Sequence, residues 1–205
     1  PDQPQEYAFR HALVQDAAYA LLLPADRLTG HQRAAEYLES HPDPAISLAL
    51  IGYHFRAAEL FGRALFYYQQ AADRLARMAL QDEALRHYQT CVELLPLLPP
   101  GAARLRQESD VLVGQVQCSV MKTSPLSNLG RVARARQRLL DLWLSSDNQP
   151  EDERRLAVLD YEAGRLHTYQ NEFVEATRYL EHVLPRARER GDDELLTKAR
   201  LLLAR

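Results

Sequence analysis

Residues 52–72, GYHFRAAELFGRALFYYQQAA, decide how this chain folds. Gly52 is followed by Ala64, Tyr68 and Ala71, a spacing of small and aromatic residues that belongs to two helices packed as a hairpin. Small residues let the helices touch and aromatic ones wedge them. The same skeleton returns as Gly164, Ala176, Leu180 and Val183. A hairpin used twice makes a scaffold whose first product is a binding surface.

Working outward, the periodicity predicts helices throughout. Apolar residues recur at helical spacing from His11 to Leu22, and Pro24 opens a second helix carrying Leu28, Ala34, Ala35 and Leu38. HPDP at 41–44 breaks the chain, with Asp43 as N-cap and Pro44 at the first helical position. The next helix is expected to run to about Glu59, with a tight turn at Phe61 and Gly62. After it Leu65, Tyr68, Ala71, Ala72 and Leu75 share one face. Asp82 and Glu83 favour another helix start, and Pro99 and Pro100 stop that helix. Beyond Gly101 come a helix through Val111, Gly114 and Val120, a turn at KTSP in which Ser124 caps and Pro125 leads in, and a helix carrying Leu129, Val132, Leu139, Leu140 and Trp143. SSDNQPEDE from Ser145 is a hairpin loop, and QNEF is the turn of the last complete hairpin. Pro185 is expected to kink or end its second arm, with Gly191 capping the helix. The only strand signal is YAF at Tyr7.

The composition suits a packed all-α chain. Of 205 residues, 46% are hydrophobic, which is enough for a core without staples, and 8 Gly and 11 Pro are few. A net charge of −3 draws the chain to neither nucleic acid nor an anionic membrane. Lys122 and Lys198 are the only lysines. Cys91 and Cys118 have no metal-type spacing and read as buried thiols of a reducing, cytoplasmic compartment. No apolar run approaches the roughly 20 residues that span a bilayer, and PDQPQEY has no leader pattern. ELLTKARLLLAR keeps its helical pattern to Arg205, so the chain is expected to be part of something longer.

At these residues the chain resembles the tetratricopeptide repeat. Aligned on Gly52, Leu48, Ile51 and Phe55 fall on its first-helix positions, and Ala64, Tyr68 and Ala71 on its second. Aligned on Gly164, the match is Ala163, His167, Ala176, Leu180 and Val183, with Asp160 where the large aromatic belongs. Ala84, Tyr88, Cys91 and Pro96 fit a second helix, so the helix from Gly62 to Met78 would serve both neighbours. Units around Gly114 exceed the usual ~34 residues. The resemblance implies a right-handed α-α superhelix of tetratricopeptide-like hairpins, about ten helices in all.

A second resemblance lies at the start. YAFRHALVQDAAYALL at 7–22, with Arg27 and His31 before AAEYLE, looks like the junction behind the ATPase and winged-helix parts of bacterial signal-transduction ATPases with numerous domains. Phe9, Arg10, His11, Leu13, Asp16, Tyr19, Arg27 and His31 carry it. It implies junction helices at 1–42, a first hairpin group at 43–100 and a second, truncated group at 101–205. The helical tail would then be a docking arm in contact with an upstream ATPase, cyclase or transcription module. No GxxxxGK[ST] loop occurs, so no nucleotide or other cofactor is expected here.

Repeat families bind on the face formed by their first helices. Carried over, that face includes Ile46, Ala49, Tyr53, Arg56 and Ala57, then Glu108, Val111, Gln115, Cys118 and Ser119, then Val158, Tyr161, Arg165, Thr168 and Tyr169. Tyr53, Arg56, Gln115, Tyr161, Arg165 and Tyr169 are the candidate contacts for a protein or peptide partner or a small effector, because such side chains combine area with polar reach. Lys and Asn clamps for a peptide carboxylate are missing at Ala49 and Tyr53. His87 and Cys91 make only two zinc ligands, so no metal is expected. His11 with Asp16 suggests a structural hydrogen bond before acid–base chemistry. Arg131, Arg134 and Arg138 share a helix face that reads as solvated. Acids at 151–153 and 192–194 suit helix starts. The chain therefore reads as non-catalytic, against two alternatives: an all-α enzyme with a site between hairpins, and a DNA-contacting regulator segment.

Overall fold

The computed structural model describes residues 11–41, 47–119 and 123–204. Among these the chain is all-α, with ten α-helices and no strand. The expected strand at Tyr7, the cap at Asp43 and Pro44, and Phe9, Arg10, Ile46 and Val120 lie outside the described residues. Two compact units divide the chain, 1–67 and 68–205.

The first unit holds α1 (Ala12–Leu21), α2 (Pro24–Ser40), α3 (Leu48–Ala57) and the opening of α4 (Phe61–Arg77), within which the division falls. Pro24 sits at the start of α2, where its missing N–H costs nothing. Ile51 and Phe55, one turn apart on α3, are buried with Ala35, Ala64 and Leu65. Arg63 lies 4.0 Å above the Phe55 ring and pairs with Glu39, which also accepts from the Tyr67 hydroxyl at 2.5 Å. α1 buries no residue. Polar contacts hold it instead: the Tyr19 hydroxyl meets His31 Nε2 at 2.9 Å, and Arg27 donates to the carbonyls of Ala20 and Leu22 at 2.8 and 3.1 Å.

The second unit contains the rest of α4, then α5 (Gln81–Leu94), one 3-10 turn at Leu95–Leu97, α6 (Ala102–Ser119), α7 (Pro125–Trp143), α8 (Pro150–Tyr169), α9 (Phe173–Glu189) and α10 (Asp193–Leu203). Ser124 stands at the start of α7 but its side chain makes no cap bond, and Pro125 begins the helix. α8 is buried on two faces. Leu156, Leu159, Ala163 and Leu166 join Leu112, Val116, Val132, Leu139 and Leu142 of α6 and α7 in one core. Ala157 joins Leu180, Val183 and Ala187 of α9 and Leu195 and Ala199 of α10 in another. Helices α8 and α9 approach so closely that a Cβ on Gly164 would stand 2.8 Å from Leu180 Cγ and 3.2 Å from the Ala176 carbonyl.

α9 does not end at Pro185 but continues to Glu189. Proline removes one helical hydrogen bond. Val183 and Ala187, buried on either side of it, hold the last turn in place by packing.

Four turns share one backbone. Glu59, Ala79, Asn171 and Gly191 all adopt the left-handed conformation, with φ of 59, 61, 61 and 65°. In each, the following N–H closes on a carbonyl of the preceding helix: Leu60 on Phe55, Leu80 on Leu75, Glu172 on His167 and Asp192 on Ala187, at 2.9–3.0 Å. The carbonyls of Leu60, Leu80, Glu172 and Asp192 then accept from Ala64, Ala84, Ala176 and Leu196 to open the next helix. The first hairpin turn therefore precedes the expected Phe61–Gly62, because Glu59 takes the left-handed position and Phe61 is already helical.

A left-handed alanine crowds its own Cβ, at about 1–2 kcal/mol, part of which glycine forfeits through its looser unfolded chain. Ala79→Gly is accordingly expected to raise the unfolding free energy by about 0.5–1 kcal/mol in urea denaturation, whereas Gly191→Ala should lower it.

Candidate functional site

The candidate surface rests on α8, and α8 is fixed by three buried acids. Asp152 accepts from Arg106 Nε and Nη2 of α6, each at 2.8 Å, and from the Gln149 N–H at 2.9 Å in a reciprocal capping box. Arg155, at 3.3 Å from Asp152, also forks onto Asp110 of α6 at 3.0–3.1 Å. Asp160 pairs with Arg136 of α7 and, at 2.8 Å, with Arg186 of α9. Glu162 accepts from Gln117 of α6 at 2.8 Å and from Arg165 at 2.5 and 2.8 Å. Asp152, Asp160 and Glu162 are fully buried.

Such arrangements follow from the cost of dehydrating a charge, which is met only when each buried carboxylate has its own donors. Asp152 thus does more than complement a helix dipole. Hydrogen bonds from Arg106 hold its carboxyl below the usual carboxylate range, against the opposing pull of burial. Asp160 forms a charge bridge between Arg136 of α7 and Arg186 of α9.

Above these acids stand Tyr161, Arg165 and Tyr169, one turn apart on α8. Tyr161 is half-buried, and that burial, aided by the Glu162 charge, raises its phenol pKa. Arg165 is held by Glu162, with its guanidinium 5.8 Å from the centre of the Tyr169 ring. Burial works against the Arg165 charge, yet Glu162 together with Tyr169 and Tyr161 keeps the group above its ordinary pKa. Tyr169 is 51% exposed. Together the three form a preset aromatic and guanidinium platform on a helix that packing leaves no freedom to turn.

The other candidates lie elsewhere. Tyr53, 51% exposed on α3, stands edge-on to His31 with ring centres 5.8 Å apart. His31 Nδ1 meets His54 Nδ1 at 2.9 Å, and burial first, then the His31 charge, lowers the His54 pKa. Arg56 is exposed on the same helix. Gln115 is only 7% exposed and turns its amide oxygen to Arg131 of α7, so α6 offers side chains inward where an open face was expected. Val111, Cys118 and Ser119 of that helix are buried as well.

Cys91 and Cys118 are buried, and burial pushes the Cys91 thiol up to about 12. Among the described residues no three His, Cys, Asp or Glu side chains gather as metal ligands, and no helix is long and apolar enough to cross a membrane. Sequence reasoning missed the partners of Asp152, Asp160 and Glu162. For the last two a signal was present in LAVLDYEAGRL at 156–166, where two acids interrupt an apolar helix and so demand donors from its neighbours.

Comparison with known proteins returns no matching family model, no similar curated protein and no similar solved structure.

Proposed function

We propose that this chain is a non-catalytic, tetratricopeptide-like scaffold that binds a protein or peptide partner on α8 and relays that binding to an upstream signalling ATPase, cyclase or transcription module in the cytoplasm. The observation that carries the proposal is the Tyr161–Arg165–Tyr169 platform. Tyrosine and arginine anchor interfaces because they bring large area at small entropic loss. Here the loss is smaller still, since Arg165 is already oriented by Glu162. The four like turns and the close Gly164 contact support hairpins stacked as in a right-handed α-α superhelix. In the described residues the buried acids are engaged by arginines or amides, which favours binding over acid–base chemistry.

Peptides selected from a random display library against this chain, then titrated by calorimetry, test the reading. Tyr161→Ala with Tyr169→Ala should weaken the selected peptides at least tenfold while leaving the helical circular dichroism unchanged. Peptides that bind the double variant as well as the parent would place the partner elsewhere. Turnover by the purified chain that survives rigorous purification would overturn the non-catalytic reading itself.

A further inference from the structure

A second site lies on the other side of α6. The 3-10 turn, α6 and α7 line an open cleft of about 430 Å³, within the range of pockets that take small organic ligands. Its apolar wall includes Leu95, Val111, Leu112 and Ala135. Four guanidinium groups line it, those of Arg104, Arg131, Arg134 and Arg138, against a single carboxylate, Glu108. Of the four, Arg138 is satisfied by Glu108 at 2.8 Å. Arg104 reaches only the Leu98 carbonyl, at 3.4 Å. Arg131 is half-buried and donates to the neutral amide oxygen of Gln115. Among the described residues neither Arg131 nor Arg134 has a carboxylate partner within salt-bridge distance.

Arg131 differs in this from most of the buried and partly buried arginines of the unit. Arg106, Arg136, Arg155, Arg165 and Arg186 all meet acids. Arg131 is half-buried, and that burial, with the charge of the exposed Arg134 one turn on behind it, disfavours the Arg131 cation. An anion placed between them relieves both costs, because a guanidinium fork matches a phosphate or carboxylate with two parallel hydrogen bonds. The apolar wall leaves room for more than a bare ion.

We propose that the cleft between α6 and α7 is a binding site for a small organic anion, its phosphate or carboxylate held by Arg131 and Arg134 and its apolar body laid against Val111, Leu112 and Ala135. The site shares no residue with the Tyr161–Arg165–Tyr169 platform, so it stands or falls apart from the peptide-binding reading. Glu108 is the competitor within it: it occupies Arg138 and repels the incoming charge.

Calorimetry with four probes tests the proposal. 1-Naphthyl phosphate and 1-naphthoate carry both charge and body, pyrophosphate carries charge alone, and 2-naphthol carries body alone. Binding by at least one naphthyl anion, at least tenfold tighter than pyrophosphate and 2-naphthol, is expected. The naphthyl anion that binds more tightly identifies the head group, and its affinity should fall with added salt. Arg131→Gln with Arg134→Gln should abolish most of that affinity, while Arg178→Gln, on α9 outside the cleft, should leave it unchanged. Glu108→Gln should tighten binding about three- to tenfold, a gain that misfolding cannot produce. No heat with either naphthyl anion at millimolar concentration would overturn the proposal. So would 2-naphthol binding equally well, or Glu108→Gln leaving the affinity unchanged.

Discussion

Replacing Asp152 by alanine is expected to lower the unfolding free energy by about 3–5 kcal/mol, a large part of the stability of an ordinary domain. Its carboxylate ties Arg106 of α6 to the first turn of α8 and completes the capping box with Gln149. Removal leaves the buried Arg106 with the Asp147 carbonyl as its remaining acceptor among the described residues. A lone buried cation costs far more than the pair contributes. Glu151→Ala, one residue away and exposed, should fall within about 0.5 kcal/mol of the parent in the same urea denaturation series. The double change Arg106→Met with Asp152→Leu should recover most of the loss. The pH dependence carries the same signature. The folded Asp152 carboxyl sits below its unfolded value because of Arg106, so the folded chain binds fewer protons there. Its contribution is therefore complete above the ordinary carboxylate pKa near ~4 and is lost as pH falls through the folded value. Asp152→Ala should flatten that acid limb.

Gly114→Ala is the second large effect. A Cβ at this position would stand 2.2 Å from Tyr88 Cζ and 2.4 Å from its hydroxyl, so the ring has to move. Tyr88 is buried and its hydroxyl donates to Asp73 at 2.5 Å. Alanine gains about 1 kcal/mol of helix propensity over glycine. Overpacking costs about 1–3 kcal/mol, and a buried hydroxyl pulled off its acceptor about 1–3 more. The net expectation is a loss of about 2–3 kcal/mol. With Tyr88→Leu already in place the clash is gone, and Gly114→Ala should then be neutral to stabilising by up to about 1 kcal/mol. A coupling smaller than about 1 kcal/mol in that double-mutant cycle would contradict the geometry.

The hairpins were legible because their cause is local. Gly164 and Ala176 mark where α8 and α9 touch, and the periodicity of Leu180, Val183 and Ala187 marks the buried face of α9. Turn positions were harder to place. Glu59 and Ala79 adopt a conformation that residue type advertises only when it is glycine or asparagine, as at Gly191 and Asn171. The candidate surface was legible in part. Tyr161, Arg165 and Tyr169 share a face of α8 by spacing alone, but the acid that orients Arg165 is a neighbour whose burial depends on Gln117 of another helix. Arg134 and Arg138 are exposed as their helix face reads, but Arg131 is half-buried, because a helix face says nothing of the wall opposite. Their cleft needs Leu95 and Val111, which are distant in sequence.

Chains built from similar hairpins carry a hazard: any arm can dock in a place meant for another, since the same turn and the same small residues suit every copy. Asp160 acts as an address against that error. Leu48 occupies the equivalent place in the first copy of the skeleton, and a helix carrying leucine there asks nothing of its neighbours. A helix carrying Asp160 fits only where Arg136 and Arg186 wait on either side. In any other berth the carboxylate is buried alone, at a cost of several kcal/mol.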